Sequence, residues 1–156
     1  MIIRRANPAD IPRIIEMLSQ VLEVHAAIRP DIFVSGTTKY NADELAKIIA
    51  DDTKPIFVAL PDDENVDGYA FCQLKEPSFA RTMVPRKTLF IDDLCVDESA
   101  RGSHIGKALF DHVISEAKQL GCYEITLNVW EGNDSALAFY KAMGMMPQET
   151  RMELIL

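Results

Sequence analysis

The sequence predicts an α/β fold in a single domain. Short apolar segments, typical of buried strands, alternate along the chain with longer segments in which apolar residues recur every three or four positions, typical of amphipathic helices. The length of 156 residues suits one domain, since most domains have roughly 100–150 residues. No repeat or linker divides the chain, so we expect residues 1–156 to form one domain around one core.

Composition and charge limit the classes of function. Hydrophobic residues make up 48% of the chain and charged residues 26%, values typical of a globular protein. A net charge of −8 argues against a nucleic-acid partner, whose phosphates require a basic surface, and is compatible with a cationic substrate. Because the sequence contains neither a membrane-spanning stretch nor a signal-peptide pattern, we expect a cytoplasmic protein without a membrane partner.

The spacing of the cysteines and histidines favours neither disulfides nor a metal site. The cysteines form an odd set without CxxC spacing, so we expect them to be reduced. The histidines show no HExxH or comparable ligand spacing, so we expect no metal. The residues concerned are Cys72, Cys95, Cys122, His25, His104 and His112.

The first half of the chain contains two helices and three strands. A short strand begins at Ile2, and apolar residues at helical spacing predict the first helix from Ile11 to His25. Residues 29–40 mix Pro, Gly and polar residues with aromatic ones, which predicts a loop, and we expect substrate contacts there. The elements that follow are a helix over 41–51 and a hairpin with strands over 55–60 and 66–74 and a polar turn at 62–65.

The second half begins with a predicted strand in which two acidic residues lie among apolar ones. Asp92 and Asp93 lie within the predicted strand Thr88–Val96. Adjacent side chains face opposite sides of a sheet, so we expect one of the two to point towards a buried or cleft surface. The remaining elements are a polar turn over 97–104, helices over 105–120 and 133–143, a strand over 124–130 and one or more strands within 145–156.

The junction at Arg101–Lys107 is typical of an anion site. Here a strand passes through a polar turn into a long amphipathic helix. The first amides of a helix lack internal partners and lie at the positive end of its dipole. Gly102 and Gly106 allow the backbone to approach a phosphate closely. The alternative interpretation is that these glycines serve only the turn.

Two motifs resemble those of the GNAT superfamily of N-acetyltransferases. Leu94-Cys-Val-Asp-Glu-Ser-Ala-Arg-Gly-Ser-His-Ile-Gly-Lys-Ala-Leu109 resembles its strand and pyrophosphate loop, R/Q-x-x-G-x-G/A. Asn133-Asp-Ser-Ala-Leu-Ala-Phe-Tyr-Lys-Ala-Met-Gly144 is similar to its N-x-x-A-x-x-F-Y-x-x-x-G helix. Their order and separation match, and the resemblance extends over nearly the whole chain. One departure is that the middle glycine of the loop is His104.

The resemblance implies a mixed, strongly twisted sheet of six or seven strands with helices on both faces. The strands bearing Leu94–Val96 and Ile125–Val129 would splay apart to admit acetyl-CoA as co-substrate. Its pantetheine would pair with the first of these strands, and its pyrophosphate would lie on the loop. The implied contacts are Leu94, Cys95, Val96, Arg101, Gly102, Ser103, His104, Ile105, Gly106, Lys107, Asn133 and Tyr140.

The implied reaction is direct attack of a primary amine on the thioester, through a tetrahedral intermediate. Tyr140 stands at the motif tyrosine, so we expect it to be the general acid for the leaving thiolate; the alternative is a buried aromatic residue. Asp92, Asp93 and Glu131 are the candidates for the general base, and each could instead be a solvated acid. Cys95 is expected to be a packed cysteine and not a nucleophile.

The sequence does not identify the acceptor amine. The candidate substrate contacts are His25, Phe33, Asp92 and Glu131, and Trp130 could line the same pocket. Small amines, such as polyamines or aminoglycosides, and protein amines both fit. An alternative function is a non-catalytic acyl-CoA-binding or sensing module. A homodimer is implied by the resemblance only.

Overall fold

The computed structural model describes residues 1–62 and 64–156, and within them it contains four α-helices and one five-stranded sheet. The predicted α/β class is confirmed. Residue 63, in the predicted turn 62–65, lies outside the described residues. The elements are β1 (Ile2–Arg5), α1 (Ile11–Ile28), α2 (Ala42–Ile49), β2 (Ile56–Leu60), β3 (Gly68–Lys75), β4 (Thr88–Val96), α3 (Ile105–Gln119), β5 (Glu124–Leu127) and α4 (Asp134–Ala142).

The strands lie in the sheet in chain order, β1 to β5. The first four pair antiparallel, and β5 pairs parallel with β4. Parallel neighbours need a crossover connection, and here α3 provides it. The sheet is therefore mixed, as expected.

The number of strands differs from the expectation of six or seven. The predicted strand over 124–130 ends at Leu127, and no strand forms within residues 145–156 of the described chain. Backbone groups form a strand only when a neighbouring strand accepts and donates their hydrogen bonds. Residues 145–156 carry a strand-like sequence, but among residues 1–62 and 64–156 no strand pairs with them.

Helices cover both faces of the sheet, which confirms that part of the prediction. On one face, α1 and α2 pack Ile14, Met17 and Leu45 against the sheet residues Val58 and Tyr69. On the other face, α3 forms a second core with the sheet, whose helix residues are Ile105, Leu109, Phe110, Val113 and Ala117. Five residues of α1 and α3 are fully buried and all have aliphatic side chains: Ile14, Met17, Ile105, Leu109 and Val113. All of these except Met17 belong to the apolar faces that the helical periodicity predicted.

Asp97, directly after β4, joins the end of that strand to α1. It is 4% exposed, and one of its oxygens accepts hydrogen bonds from Arg13 at 2.7 Å and Gln20 at 2.9 Å. Its other oxygen accepts from the amide and the hydroxyl of Ser99. The hydrogen bonds from Ser99 and Gln20 hold the pKa of Asp97 well below its usual range. This buried carboxylate therefore fixes where the loop before α3 begins.

Gly68 lets α3 approach β3 closely. A Cβ at this position would lie 2.8 Å from Ile105 Cγ2 and 2.9 Å from Leu109 Cδ1. We therefore expect Gly68→Ala to lower the free energy of unfolding by about 1–3 kcal/mol, the usual effect of overpacking a core. Urea denaturation monitored by circular dichroism measures this effect.

Gly106→Ala is the matched control for that substitution. A Cβ at Gly106 would meet Phe139 and Val96 at 3.6 Å, an ordinary contact distance. Because alanine favours helix over glycine by about 1 kcal/mol, we expect unchanged or higher stability. Equal stability of Gly68→Ala and the unmodified protein would contradict the close packing of α3 on β3.

Candidate functional site

The central feature of the site is a notch in the sheet between β4 and β5. Their parallel pairing ends at Ile91 opposite Leu127, whereas β3 stays paired with β4 as far as Val96. Residues 92–96 therefore hydrogen-bond to a strand on one side only, and their other edge is open. An open strand edge offers N–H and C=O groups to an extended, amide-bearing ligand. The splay predicted from the sequence is present in the structure.

A β-bulge lies at the head of the notch. Phe71 is opposite Asp93 and Cys72 is opposite Ile91, so Asp92 is an extra residue in β4. A bulge bends its strand and re-aims the side chains beside it. As a result, the strict alternation assumed for the two acids does not hold, and both have partners on the α1 side of the molecule.

The loop before α3 presents free helix amides. His104 is the N-cap of α3 and its side chain makes no capping hydrogen bond. The amides of Ile105, Gly106 and Lys107, which begin the helix, have no intrahelical acceptors. Together with the helix dipole they form an arrangement that suits a pyrophosphate.

The side chains around this loop leave the amides accessible. The Ser103 hydroxyl donates to the carbonyl of Ala100, within its own turn. Lys107 pairs with Asp111 on the exposed side of α3, at 2.6 Å. Arg101 is exposed at the start of the loop, where its positive charge adds to the attraction for an anion. The loop residues thus fit the group that the sequence resemblance implies.

His104 occupies the position where the resemblance leads us to expect glycine. Its φ is +63°, and it is the one non-glycine residue with positive φ in the part of the chain that the structure describes. A left-handed conformation costs a residue with a Cβ roughly 1–2 kcal/mol. The loop thus forms its turn with histidine in place of glycine, and the backbone at His104 is locally strained.

His104→Gly removes this strain, so we expect the free energy of unfolding to rise by about 1 kcal/mol and acetyl-CoA binding to be retained or improved. Calorimetric titration and thermal unfolding measure the two effects. His104→Ala is the matched control, because it removes the imidazole but keeps the Cβ. If both variants lose binding strongly, the imidazole itself is a ligand of the phosphates.

Tyr140 lies in α4, with its ring centroid 6.1 Å from that of Phe110 and 5.1 Å from that of Phe139. Burial, followed by the negative charge of Asp93, raises the pKa of the Tyr140 phenol far above its ordinary value. Tyr140 therefore stays protonated at neutral pH and keeps a proton to donate.

Asn133, the N-cap of the same helix, accepts a hydrogen bond from the Ala136 amide at 3.3 Å. This confirms its predicted capping role.

Asp93 accepts a hydrogen bond from Tyr69, whose hydroxyl lies 2.7 Å from its Oδ2. Tyr69 is fully buried. Burial raises the pKa of Asp93 to about 6, although the hydrogen bond from Tyr69 and the positive charge of Lys39 act in the opposite direction. A carboxyl group that titrates so close to neutrality is suited to accept a proton under physiological conditions.

Asp92 pairs with Lys39, whose Nζ lies 2.6 Å from its Oδ2. Burial lowers the pKa of Lys39, but the hydrogen bond to Asp92 and the nearby negative charges outweigh this and raise it overall. The lysine stays charged, and the ion pair ties the loop 29–40 to the head of the notch. The sequence predicted this loop as a place of substrate contact, and the structure brings it beside both acids.

An aromatic cluster lies at the C-terminal end of α1, near Lys39. The ring of Phe33 lies 5.2 Å from that of His25 and 5.5 Å from that of Trp130, and the guanidinium of Arg29 lies 5.7 Å from the Trp130 ring. Burial, together with the charge of Lys39, lowers the pKa of His25, which favours its neutral form. Glu131 is exposed in the turn that follows, and the structure does not bring it into this cluster.

Cys95 is buried within β4, where burial raises the pKa of its thiol to about 12. A thiol with such a pKa is protonated at neutral pH and is a poor nucleophile. This supports the interpretation of Cys95 as a packed residue. All three cysteines are free thiols.

Sequence reasoning missed three residues of the site. Tyr69 becomes visible only when β3 is set in register against β4, since its partner Asp93 is 24 positions away. Lys39 and Arg29 lie in or beside a loop, where no periodicity reveals the direction of a side chain. The only signal in the sequence was weak. Asp92 and Asp93 lack a basic neighbour along their strand, which suggests a basic partner from another segment.

Neither a metal cluster nor a membrane-spanning helix is found among the described residues. In residues 1–62 and 64–156, no three His, Cys, Asp or Glu side chains gather as a metal site would require. No helix in the same ranges is long and apolar enough to span a bilayer.

The chain matches a known protein family over most of its length. A model described as "Acetyltransferase (GNAT) family" matches residues 21–145. Among solved structures, a mutant of the BH1408 protein from Bacillus halodurans is 36% identical, with a TM-score of 0.94, and the match covers 100% of this chain and 99% of that one.

Curated relatives match over shorter stretches. The glucosamine 6-phosphate N-acetyltransferase of Trypanosoma brucei brucei is 33% identical over 79 residues, which are 51% of this chain and 50% of that protein. The peptidyl-lysine N-acetyltransferase YjaB of Escherichia coli is 39% identical over 54 residues, 35% of this chain and 33% of that protein. The matched region thus spans half or less of these curated relatives.

Proposed function

The chain belongs to the acetyltransferase (GNAT) family, and from that premise we propose that it moves an acetyl group from acetyl-CoA to a primary amine by direct attack of the amine on the thioester. The observation that carries this proposal is the notch between β4 and β5, which opens directly onto the uncapped N-terminus of α3. A long ligand with an anionic middle and an amide-bearing arm matches both features.

The residues around the notch would hold acetyl-CoA as follows. The amides of Ile105, Gly106 and Lys107 would bind the pyrophosphate, beside Arg101, Gly102, Ser103 and His104. The open backbone edge at Leu94, Cys95 and Val96 would pair with the amides of the pantetheine arm, and Asn133 would border it. A backbone amide of that edge would polarise the acetyl carbonyl.

Asp93 is the general base in this proposal. The acceptor amine must lose a proton to attack, and Asp93, with a pKa of about 6, accepts it directly or through a water molecule. Asp92 is the weaker candidate, because Lys39 already neutralises its charge. Asp92 serves instead to hold the loop 29–40 and to attract a cationic amine.

Tyr140 is the general acid. As nitrogen bonds to the carbonyl carbon and the carbon–sulfur bond breaks, the phenol donates its proton towards the departing sulfur. The nitrogen loses a second proton as the intermediate collapses, and this proton restores the Tyr140 phenol through solvent, while Asp93 releases its proton to bulk water. The products are the acetylated amine, CoA with a free thiol and one proton, so atoms and charges balance.

The acceptor enters, in this proposal, beside the loop 29–40, where Phe33 packs against His25 and Trp130. Aromatic faces beside carboxylates suit an amine on an apolar or sugar-like frame. The two curated relatives act, by their names, on an amino-sugar phosphate and on peptidyl lysine, so small and protein amines are both appropriate to test. Free thiols agree with a reducing compartment, and we propose a cytoplasmic location.

The test has two parts. Calorimetry measures binding of acetyl-CoA, and mass spectrometry searches for acetylated products in a panel of polyamines, aminoglycosides, amino sugars, amino acids and basic peptides. We expect binding and at least one acetylated amine. Tight binding without product from any amine would favour the non-catalytic sensing module, and failure to bind acetyl-CoA would overturn the assignment of the notch.

A further inference from the structure

Lys39 lies at the head of the notch and bears a primary amine, the group that the proposed reaction acetylates. Its Nζ is 2.6 Å from Asp92 Oδ2, and its side chain is 45% exposed. Asp92 is the extra residue of the bulge, directly after Ile91, where the pairing of β4 with β5 ends. The amine of Lys39 is therefore held at the point where the sheet opens.

The amine is held in place from two sides. Asp92 binds it on the side of β4. The next residue of the loop, Tyr40, stacks on Phe71 of β3 with ring centroids 6.0 Å apart, and Lys39 Nζ lies 5.4 Å from the centre of the Tyr40 ring. Both the backbone beside this lysine and its amine are thus anchored to the sheet.

The direction of the acetyl-CoA arm in the proposed function places the thioester at the same end of the notch. The pyrophosphate site lies at the N-terminus of α3, which follows Val96 by one short loop. An arm that starts at this loop and pairs with the open edge of β4 runs from Val96 back towards Asp92. Its reactive end then lies at the head of the notch, on the side of the Lys39 amine.

The proposed general base is also close to this amine. Burial raises the pKa of Asp93 to about 6, and the positive charge of Lys39 opposes this rise. An electrostatic effect of this kind requires the two groups to be near each other. Lys39 thus has a base, a carboxylate partner and the expected thioester within its surroundings.

We propose that Lys39 is an acetyl acceptor within its own chain, so that the protein acetylates itself at this position from acetyl-CoA. Nζ bonds to the carbonyl carbon as the carbon–sulfur bond breaks. The ammonium loses two protons: one ends on the departing sulfur by way of Tyr140, and the other leaves through Asp93 to water. The products are an acetyllysine, CoA with a free thiol and one proton.

Two opposing effects set the rate of this transfer. A positioned amine reacts faster than the same amine in solution, because no encounter is needed. The ion pair slows the reaction, since Asp92 stabilises the ammonium and only the neutral amine attacks. We therefore expect one slow event per chain, observed when no other acceptor is present.

Acetylation changes the entrance of the site. The acetylated nitrogen carries no charge, so the ion pair that ties the loop 29–40 to the head of the notch is lost. Asp92 is then free to face the ammonium of an acceptor. Self-acetylation of Lys39 thus converts an occupied carboxylate into an available one.

Peptide mass spectrometry of the purified full chain, incubated with acetyl-CoA and no added amine, tests the proposal. We expect Lys39 to be acetylated about tenfold or more faster than Lys54. Lys54 is the internal control, because its side chain is 47% exposed and also pairs with an aspartate, Asp51. It precedes β2, which β3 separates from β4. Equal rates at the two lysines would indicate uncatalysed acetylation and overturn the proposal.

Two substitutions test the origin of the modification. Lys39→Arg keeps a cation beside Asp92 but offers no amine, so the chain should gain one acetyl group fewer, whereas Lys54→Arg should leave acetylation of Lys39 unchanged. Asp93→Asn removes the base and should slow acetylation of Lys39 by about a hundredfold without affecting Lys54. Unchanged acetylation of Lys39 in Asp93→Asn would contradict the proposal.

The dependence on protein concentration distinguishes transfer within one chain from transfer between copies. We expect a rate per chain that does not change on dilution, and a rate that falls in proportion to dilution would overturn the proposal. Self-acetylation rests on the proposed acetyl transfer, but the two fail differently. If an amine of the panel is acetylated and Lys39 is not, only the assignment of Lys39 is wrong. If neither is acetylated, the proposed transfer fails as well.

Discussion

Tyr140→Phe is expected to lower kcat by about a hundredfold, the lower end of the range for a general acid, with little change in the affinity for acetyl-CoA. The substitution removes only a hydroxyl group. The ring keeps its contacts with Phe110 and Phe139, so the position of α4 and the shape of the notch do not change. What is lost is the proton that a neutral phenol can donate to the departing sulfur.

Steady-state kinetics and calorimetric titration on the same preparations separate these effects. Tyr123→Phe is the matched control, because Tyr123 is 71% exposed and lies outside the notch; it should leave both quantities unchanged. The assignment of Tyr140 fails if Tyr140→Phe turns over as fast as the unmodified protein, or if its loss of activity follows entirely from weaker acetyl-CoA binding.

Asp93→Asn is expected to lower kcat/KM by about a hundredfold or more and to change its pH dependence. In the unmodified protein, burial raises the pKa of Asp93 to about 6. The base must be deprotonated, so kcat/KM should fall as the pH drops below 6 and should no longer depend on this group well above 6. An amide does not titrate, so this fall in kcat/KM at acidic pH, called the acidic limb here, should disappear in the variant.

Two further variants test the origin of the limb. Tyr69→Phe removes a hydrogen bond that lowers the pKa of Asp93, so the limb should move to higher pH. Asp92→Asn breaks the ion pair with Lys39, and we expect it to raise KM for the amine while the limb remains. If the limb persists in Asp93→Asn, another group is the base.

The sequence predicted the elements proposed to bind the phosphates better than those proposed to bind the amine. Local signals, namely the turn at Arg101–Lys107 and the motif from Asn133 to Gly144, identify α3, α4 and the loop between β4 and α3. The structure adds that His104 adopts a left-handed conformation, which spacing alone cannot show. Contacts that depend on neighbours along the chain are thus readable from sequence.

Contacts that depend on register are not readable in this way. The bulge at Asp92 changes the partners of both acids, and alternation along one strand gives no sign of it. Tyr69 reaches Asp93 from the neighbouring strand, and Lys39 reaches Asp92 from a loop. These positions follow from how strands align and loops fold back, which requires the tertiary structure.

Residues 145–156 show a different limit of sequence reasoning. The sequence predicted one or more strands there, yet none forms in the part of the chain that the structure describes. An apolar segment indicates what is to be buried, but a strand also needs a neighbouring strand to pair with, and the sequence of the segment does not show whether one is present. The prediction of a strand within 145–156 is therefore wrong.

The most direct measurement of the central claim is the release of free CoA thiol from acetyl-CoA by the purified protein, with and without a candidate amine. We expect release that depends on both the amine and the protein, in equal amounts with the acetylated amine. Binding of acetyl-CoA without amine-dependent release from any member of the panel would contradict the claim that this notch catalyses acetyl transfer.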